Sequence, residues 1–148
     1  MGMFDTFNVN ASGLTAQRYR MDVISQNVAN ANTTRTEDGT PYVRKVVTFS
    51  EKQGSYGSFA NIFGEKASRF KANGVKVSGT YEDNSSEGKM VYDPSHPDAD
   101  ENGYVTYPNV NIITEMTNLI DASRSYEANA TAFDSIKSMA LKGLQMGQ

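Results

Sequence analysis

Both ends of this chain carry their apolar residues along a single helical stripe. Near the N-terminus Phe7, Ala11, Leu14, Met21, Ile24 and Val28 recur at three- and four-residue spacing. Near the C-terminus Ile112, Met116, Leu119, Tyr126, Ala130, Phe133, Ala140 and Leu144 do the same. A helix of this kind draws most of its stability from packing its stripe, not from propensity. The chain therefore has to supply a partner for each stripe, either the other helix or another molecule.

The N-terminal pattern predicts a helix over residues 4–30, roughly 40 Å long at the α-helical rise. Gly13 inside it costs about 1 kcal/mol relative to alanine, which points to close approach by a neighbouring backbone. The run Gln26–Thr34 is rich in asparagine, which tolerates left-handed geometry, and ends the helix. Asp38-Gly39 marks the tightest point of a polar turn. Val43–Phe49 alternates as a strand, as does Val75–Tyr81. Asp83–Gly88 then reads as a turn into a third strand, Lys89–Tyr92, which predicts a hairpin between the two. Residues 51–70 read as a long surface loop with Tyr56, Phe59, Ile62 and Phe63 as anchors. Tyr104–Tyr107 is a last extended run. Pro108 forbids helix before it, and Asn109 or Asn111 can cap the helix beyond it.

The second helix spans 112–145, roughly 50 Å. Its stripe steps through 112, 116, 119, 123, 126, 130, 133, 137, 140 and 144, the four-three alternation of a coiled-coil seam, interrupted by Lys137. A second apolar line, Ile113, Ile120, Ile136 and Met139, lies beside it, so the helix has reason to meet two partners. The fold expected is α+β, with long terminal helices pairing as a coiled-coil hairpin. Residues 1–33 and 109–148 form the discontinuous helical domain, and residues 34–108 a small β-rich lobe.

At 148 residues and 38% hydrophobic content, one modest core is expected. A net charge of −3 with scattered Lys and Arg argues against a nucleic-acid protein, which would show a basic face. No stretch approaches the length of a membrane span, and the first residues lack the basic and apolar regions of a cleavable secretory signal. Cysteine is absent, which excludes thiol catalysis, disulfides and cysteine zinc sites. That absence fits either chance in a short chain or a life outside the cytoplasm.

No catalytic constellation is visible. His96, the one histidine, sits between Ser95 and Pro97 in a polar loop with no nucleophile signature to serve. Asp98–Gly103 matches the opening of a calcium-binding loop, but the twelfth position is Asn109, not the bidentate glutamate that closes such a site. Four Asn-x-Ser/Thr triplets are expected by chance in so Asn- and Ser-rich a chain. Neither a cofactor nor a metal site is expected. The surfaces expected to carry assembly are Phe7, Leu14, Met21, Ile24 and Val28 on the first helix. On the second they are Ile112, Met116, Leu119, Ile120, Tyr126, Phe133 and Ile136.

Two groups of residues resemble the family of bacterial flagellar rod, hook and hook-associated proteins. Ser12, Gly13, Leu14 and Ala16, followed by Asn27, Ala29, Asn30 and Thr33, are similar to its N-terminal signature. Ala122–Asn129 is similar to its closing helix. Asp93, Pro94, His96 and Pro97, with Tyr107, Pro108 and Asn109, resemble a proximal rod member in particular. The resemblance implies a non-enzymatic structural subunit of the basal-body rod that transmits torque from motor to hook. It also implies export by the flagellar type III apparatus and residence outside the cytoplasm, without membrane insertion. The implied partners are other copies of the chain and other rod subunits. Its rivals are another axial subunit of the same family, a calcium-binding module at Asp98–Asn102, and, more weakly, a small hydrolase.

Overall fold

A computed structural model of the chain describes residues 3–52 and 73–145, with side chains from Asp5 onward. Two long helices, α1 (Met3–Ala29) and α2 (Ile112–Gln145), bracket four strands. These are β1 (Lys45–Glu51), β2 (Val75–Glu82), β3 (Lys89–Tyr92) and β4 (Tyr104–Tyr107). The expected α+β architecture and both helices are present. The loop expected at 51–70, with its aromatic anchors, lies almost wholly outside the described residues.

α1 ends within the Asn-rich run, just before Asn30. Asn30 donates from both its amide and its side chain to the carbonyl of Gln26, at 3.1 and 2.9 Å, and its own side-chain oxygen accepts from Thr33. Orphan carbonyls at the helix end are thereby satisfied without solvent. The following turn closes at Gly39, whose φ of 77° is the left-handed conformation that favours glycine.

β1 pairs antiparallel with β2, from Lys45 opposite Glu82 to Glu51 opposite Val75, with a register shift between Thr48 and Phe49. β3 pairs separately with β4, with Val91 opposite Val105 and Tyr92 opposite Tyr104. This corrects the expected β2–β3 hairpin. The Asp83–Gly88 turn does not fold β3 back onto β2, because other groups hold it. Asp83 donates its amide to the Arg44 carbonyl, and the Asn109 side chain donates to the carbonyls of Asp83 and Ser86. β1 also starts at Lys45 and not at Val43, because the Arg44 amide is taken by Asn109 Oδ1 at 2.8 Å instead of a strand partner.

The β1–β2 ribbon lies along α1. Ser12 Oγ accepts the Val75 amide at 3.0 Å, and the Tyr19 and Thr80 hydroxyls meet at 3.0 Å. Asn111 caps α2, accepting the amides of Ile113 and Thr114 on its side chain. Asn109, the other expected cap, serves the turn instead.

The helices run antiparallel. Phe7 packs edge-to-face on Phe133 with ring centroids 5.0 Å apart, a Cβ at Gly13 would stand 3.0 Å from Asn129 Oδ1, and Asn27 bonds Glu115. Gly13 does allow a close approach as expected, but the neighbour is the Asn129 side chain and not a backbone.

Candidate functional site

Two features of the helix pair can carry function: the face α2 turns away from α1, and the polar joint where the pair meets the strands.

The stripe of α2 is rotated from its expected position. Glu115 and Ala122 are fully buried, with Asn129 and Ile136 half-buried on the same line. Leu119, Tyr126, Phe133 and Ala140 form the other flank of the inner face, all half-buried. These four belong to the seam read from the sequence. Of its other members Ser123 and Ala130 are half-buried, whereas Ile112, Met116, Lys137 and Leu144 are exposed. On α1, Ile24 is buried, and Phe7, Leu14, Met21 and Val28 are half-buried, while Ala11 is exposed. Ala16, Val23 and Asn27 complete its buried side. Ile113 and Ile120 of the second line are exposed, whereas Ile136 faces inward.

The reason for the rotation is polar. Glu115 is 1% exposed and accepts from Arg44 Nε at 2.9 Å and Nη2 at 2.8 Å on one carboxylate oxygen. Its other oxygen accepts from Asn27 Nδ2 at 2.9 Å. Asn27, equally buried, also brackets the backbone of Lys45, donating to its carbonyl at 2.8 Å and accepting its amide at 2.9 Å. The Tyr42 hydroxyl donates to the same Asn27 oxygen at 2.8 Å. Arg44 then reaches Asp83 at 3.0 Å. One connected network thus joins the end of α1, the start of β1, the turn after β2 and the first turn of α2. A buried charge is tolerated only when its partners are complete, and here they are.

The network sets the local acid–base chemistry. Burial lowers the Arg44 value, but hydrogen bonds and charge from Glu115 and then Asp83 outweigh it and hold the guanidinium above its usual range. Burial, followed by the Glu115 and Glu82 charges, raises the Tyr42 phenol. Asp83 is held below its ordinary 3.8, first by the Ser85 hydroxyl and amide and then by Arg44. Asp93 is lowered likewise by Ser95. A carboxyl with a depressed folded pKa adds stability above its unfolded value and loses it as pH falls through the folded one. Acid unfolding followed by circular dichroism should therefore show Asp83→Asn losing less stability than wild type below about pH 4. Equal losses would contradict the assignment.

The acidic loop is folded on itself. Asp93 Oδ1 accepts from Ser95, Asp100 Oδ1 accepts the amides of Asn102 and Tyr104, and His96 Nδ1 accepts the Asp98 amide. Asp98 turns to Thr34 at 2.8 Å and to Arg35 at 3.7 Å. The aspartates of the calcium-like pattern thus point at different partners, and among the described residues no three metal-ligating side chains converge. His96 faces the ring of Tyr107. Pro94 and Pro97 lie in this loop, and buried Pro108 follows β4.

Residues 7–35 match a family described as flagella basal body rod protein, and residues 101–146 match the C-terminal family of flagellar basal-body rod FlgEFG proteins. The chain is 46% identical to the flagellar basal-body rod protein FlgC of Bacillus subtilis over the whole of both chains. It is 43% identical to the protein of that name from Borreliella burgdorferi, over 100% of this chain and 99% of the relative. The Salmonella typhimurium FlgC protein is 39% identical, again over the full length of both. The chain belongs to the FlgC family of flagellar basal-body rod proteins. In the structure several of the residues singled out in the sequence make specific contacts. Ser12 anchors β2, Gly13 admits Asn129, Asn27 bonds Glu115, Asn30 with Thr33 closes α1, and Asn109 holds the turn after β2. Glu115, Arg44 and Asp83 escaped the sequence reading. Apolar spacing gave no signal for them, since it places Glu115 on the outer side of its helix.

Proposed function

We propose that this chain is a non-enzymatic structural subunit of the proximal rod of the flagellar basal body, transmitting torque from motor to hook. The observation that carries this reading is the full-length similarity to basal-body rod proteins, spanning both helices and the polar joint between them. Residues 1–33 and 109–148 make the helical unit on the channel side, and residues 34–108 make the β-rich outer part, tied to α1 through Ser12 and Tyr19. Its partners are other copies and other rod subunits, with the type III export apparatus in transit. No helix among the described residues is long and apolar enough to cross a membrane.

Assembly requires the hairpin. Leu119→Glu or Phe133→Glu puts a charge between the helices, beside Phe7 in the second case. Each variant should be exported yet absent from purified basal bodies, and cells carrying it should not swim. Normal swimming by either would overturn the reading.

A further inference from the structure

Arg20 borders a cleft of about 160 Å³ where α1, the start of β1 and the first turns of α2 meet. The side chain is half-buried, yet among the described residues no carboxylate lies within ion-pair distance of it. The ion pairs there belong to Arg35 and Arg44. One turn away along α1 stand Ala16, Gln17, Val23 and Ile24, none of them charged. Asp22 is two residues on, a spacing at which helical side chains do not face each other.

The other charges around the cleft are already answered. Arg44 and Glu115 line it, but they hold each other, and Arg44 is further matched by Asp83. Lys45 lies over the Tyr42 ring at 5.7 Å and stands opposite Glu82 in the strand register. The charge left without a counterpart is that of Arg20. Buried Val23 and Ile24 and half-buried Val47 give the cleft an apolar wall. Asn118 adds a side-chain amide whose one contact, to Glu115, is long at 3.5 Å. A guanidinium fork fits a carboxylate, which it can hold with two parallel bonds. A space of this size takes one side chain and its water, not a helix or a strand. An inorganic anion would leave the apolar wall uncovered. The methylenes of an acidic side chain would cover it while the carboxylate meets Arg20.

We propose that the cleft bounded by Arg20, Val47 and Asn118 takes an aspartate or glutamate side chain from a neighbouring protein chain of the rod. This rests on the rod-subunit reading and adds a docking site and the chemistry of what fills it.

The test uses Arg20→Gln, Arg20→Glu and Arg20→Lys in the full-length chain. Arg20 holds no charge within its own chain, so all three should be exported like wild type and keep its urea midpoint. Recovery in purified basal bodies should fall at least about tenfold for Arg20→Glu, less for Arg20→Gln, and stay near wild type for Arg20→Lys. Arg20→Lys also places an amine in the cleft. A carbodiimide joins an amine to a carboxylate in contact with it, forming an amide while the carbodiimide takes up the water released. In basal bodies carrying Arg20→Lys, position 20 should therefore be joined to an aspartate or glutamate of another chain, identified by mass spectrometry of the linked peptides.

A lower urea midpoint or poorer export for Arg20→Gln would make the residue part of the fold and overturn the proposal. So would a link from position 20 confined to its own chain. No link in incorporated protein would leave the cleft to a free carboxylate at most, and would overturn it too. If Arg20→Glu enters basal bodies at the wild-type level, the docking falls and the rod-subunit reading stands. If even the unmodified chain is missing from basal bodies, that reading falls first.

Discussion

Glu115→Ala is expected to lower the unfolding free energy by about 3–5 kcal/mol, the usual cost of removing one partner from a buried ion pair. The side chain is 1% exposed and accepts from Arg44 twice and from Asn27 once. Alanine takes the buried carboxylate from a guanidinium that is only a quarter exposed, leaving it Asp83, and takes one of two acceptors from the amide of fully buried Asn27. Glu115→Gln retains the shape and one acceptor oxygen, and should cost less than alanine. Equilibrium denaturation in urea would measure both. A loss below about 1 kcal/mol for alanine, the scale of an exposed pair, would show that the joint is not a sealed network. The loss should be local as well as global. Amide exchange should rise at residues 83–88, because Arg44 ties that turn to α2 through Asp83.

Asn27→Ala is the second large effect, expected at about 2–4 kcal/mol. It removes two backbone bonds to Lys45, one from Tyr42 and one to Glu115, and leaves buried groups unpaired at about 1–3 kcal/mol each where water cannot reach them. Asn27→Asp is no substitute, because it sets a second carboxylate against Glu115 and loses both donor bonds. The start of β1 should then exchange its amides faster while the middle of α1 stays protected. Combining Asn27→Ala with Glu115→Ala should cost clearly less than the sum of the two, since residues in one network couple. Strict additivity would mean that the two side chains act separately.

Phe7 and Phe133 were legible as members of stripes from spacing alone, and so were the bounds of both helices. Pro108 with the asparagines before α2 marked its start to the residue. The rotation of α2 was not legible. A count of apolar residues puts Met116 inward and Glu115 outward, since a lone glutamate on a helix is normally solvated. Glu115 turns inward because Arg44, 71 positions away in the chain, supplies the countercharge. The strand partners were hidden for a similar reason. The turn at Asp83–Gly88 carries every local mark of a hairpin, and only Asn109 and Arg44, brought from elsewhere, stop β3 from folding onto β2.

The sequence by itself determined that two one-sided helices flank a β-rich segment, that a glycine must sit where the helices approach, and that neither end is content alone. Periodicity is local, so these features survive without knowing what lies across the gap. The tertiary structure decided which side of each helix faces its partner, because hydrogen bonds between residues distant in sequence outweigh the apolar count at one turn. Bringing Glu115 to Asn27 and Arg44 turns Ile113, Met116 and Ile120 outward. The apolar surface left at the start of α2 comes from that one polar joint.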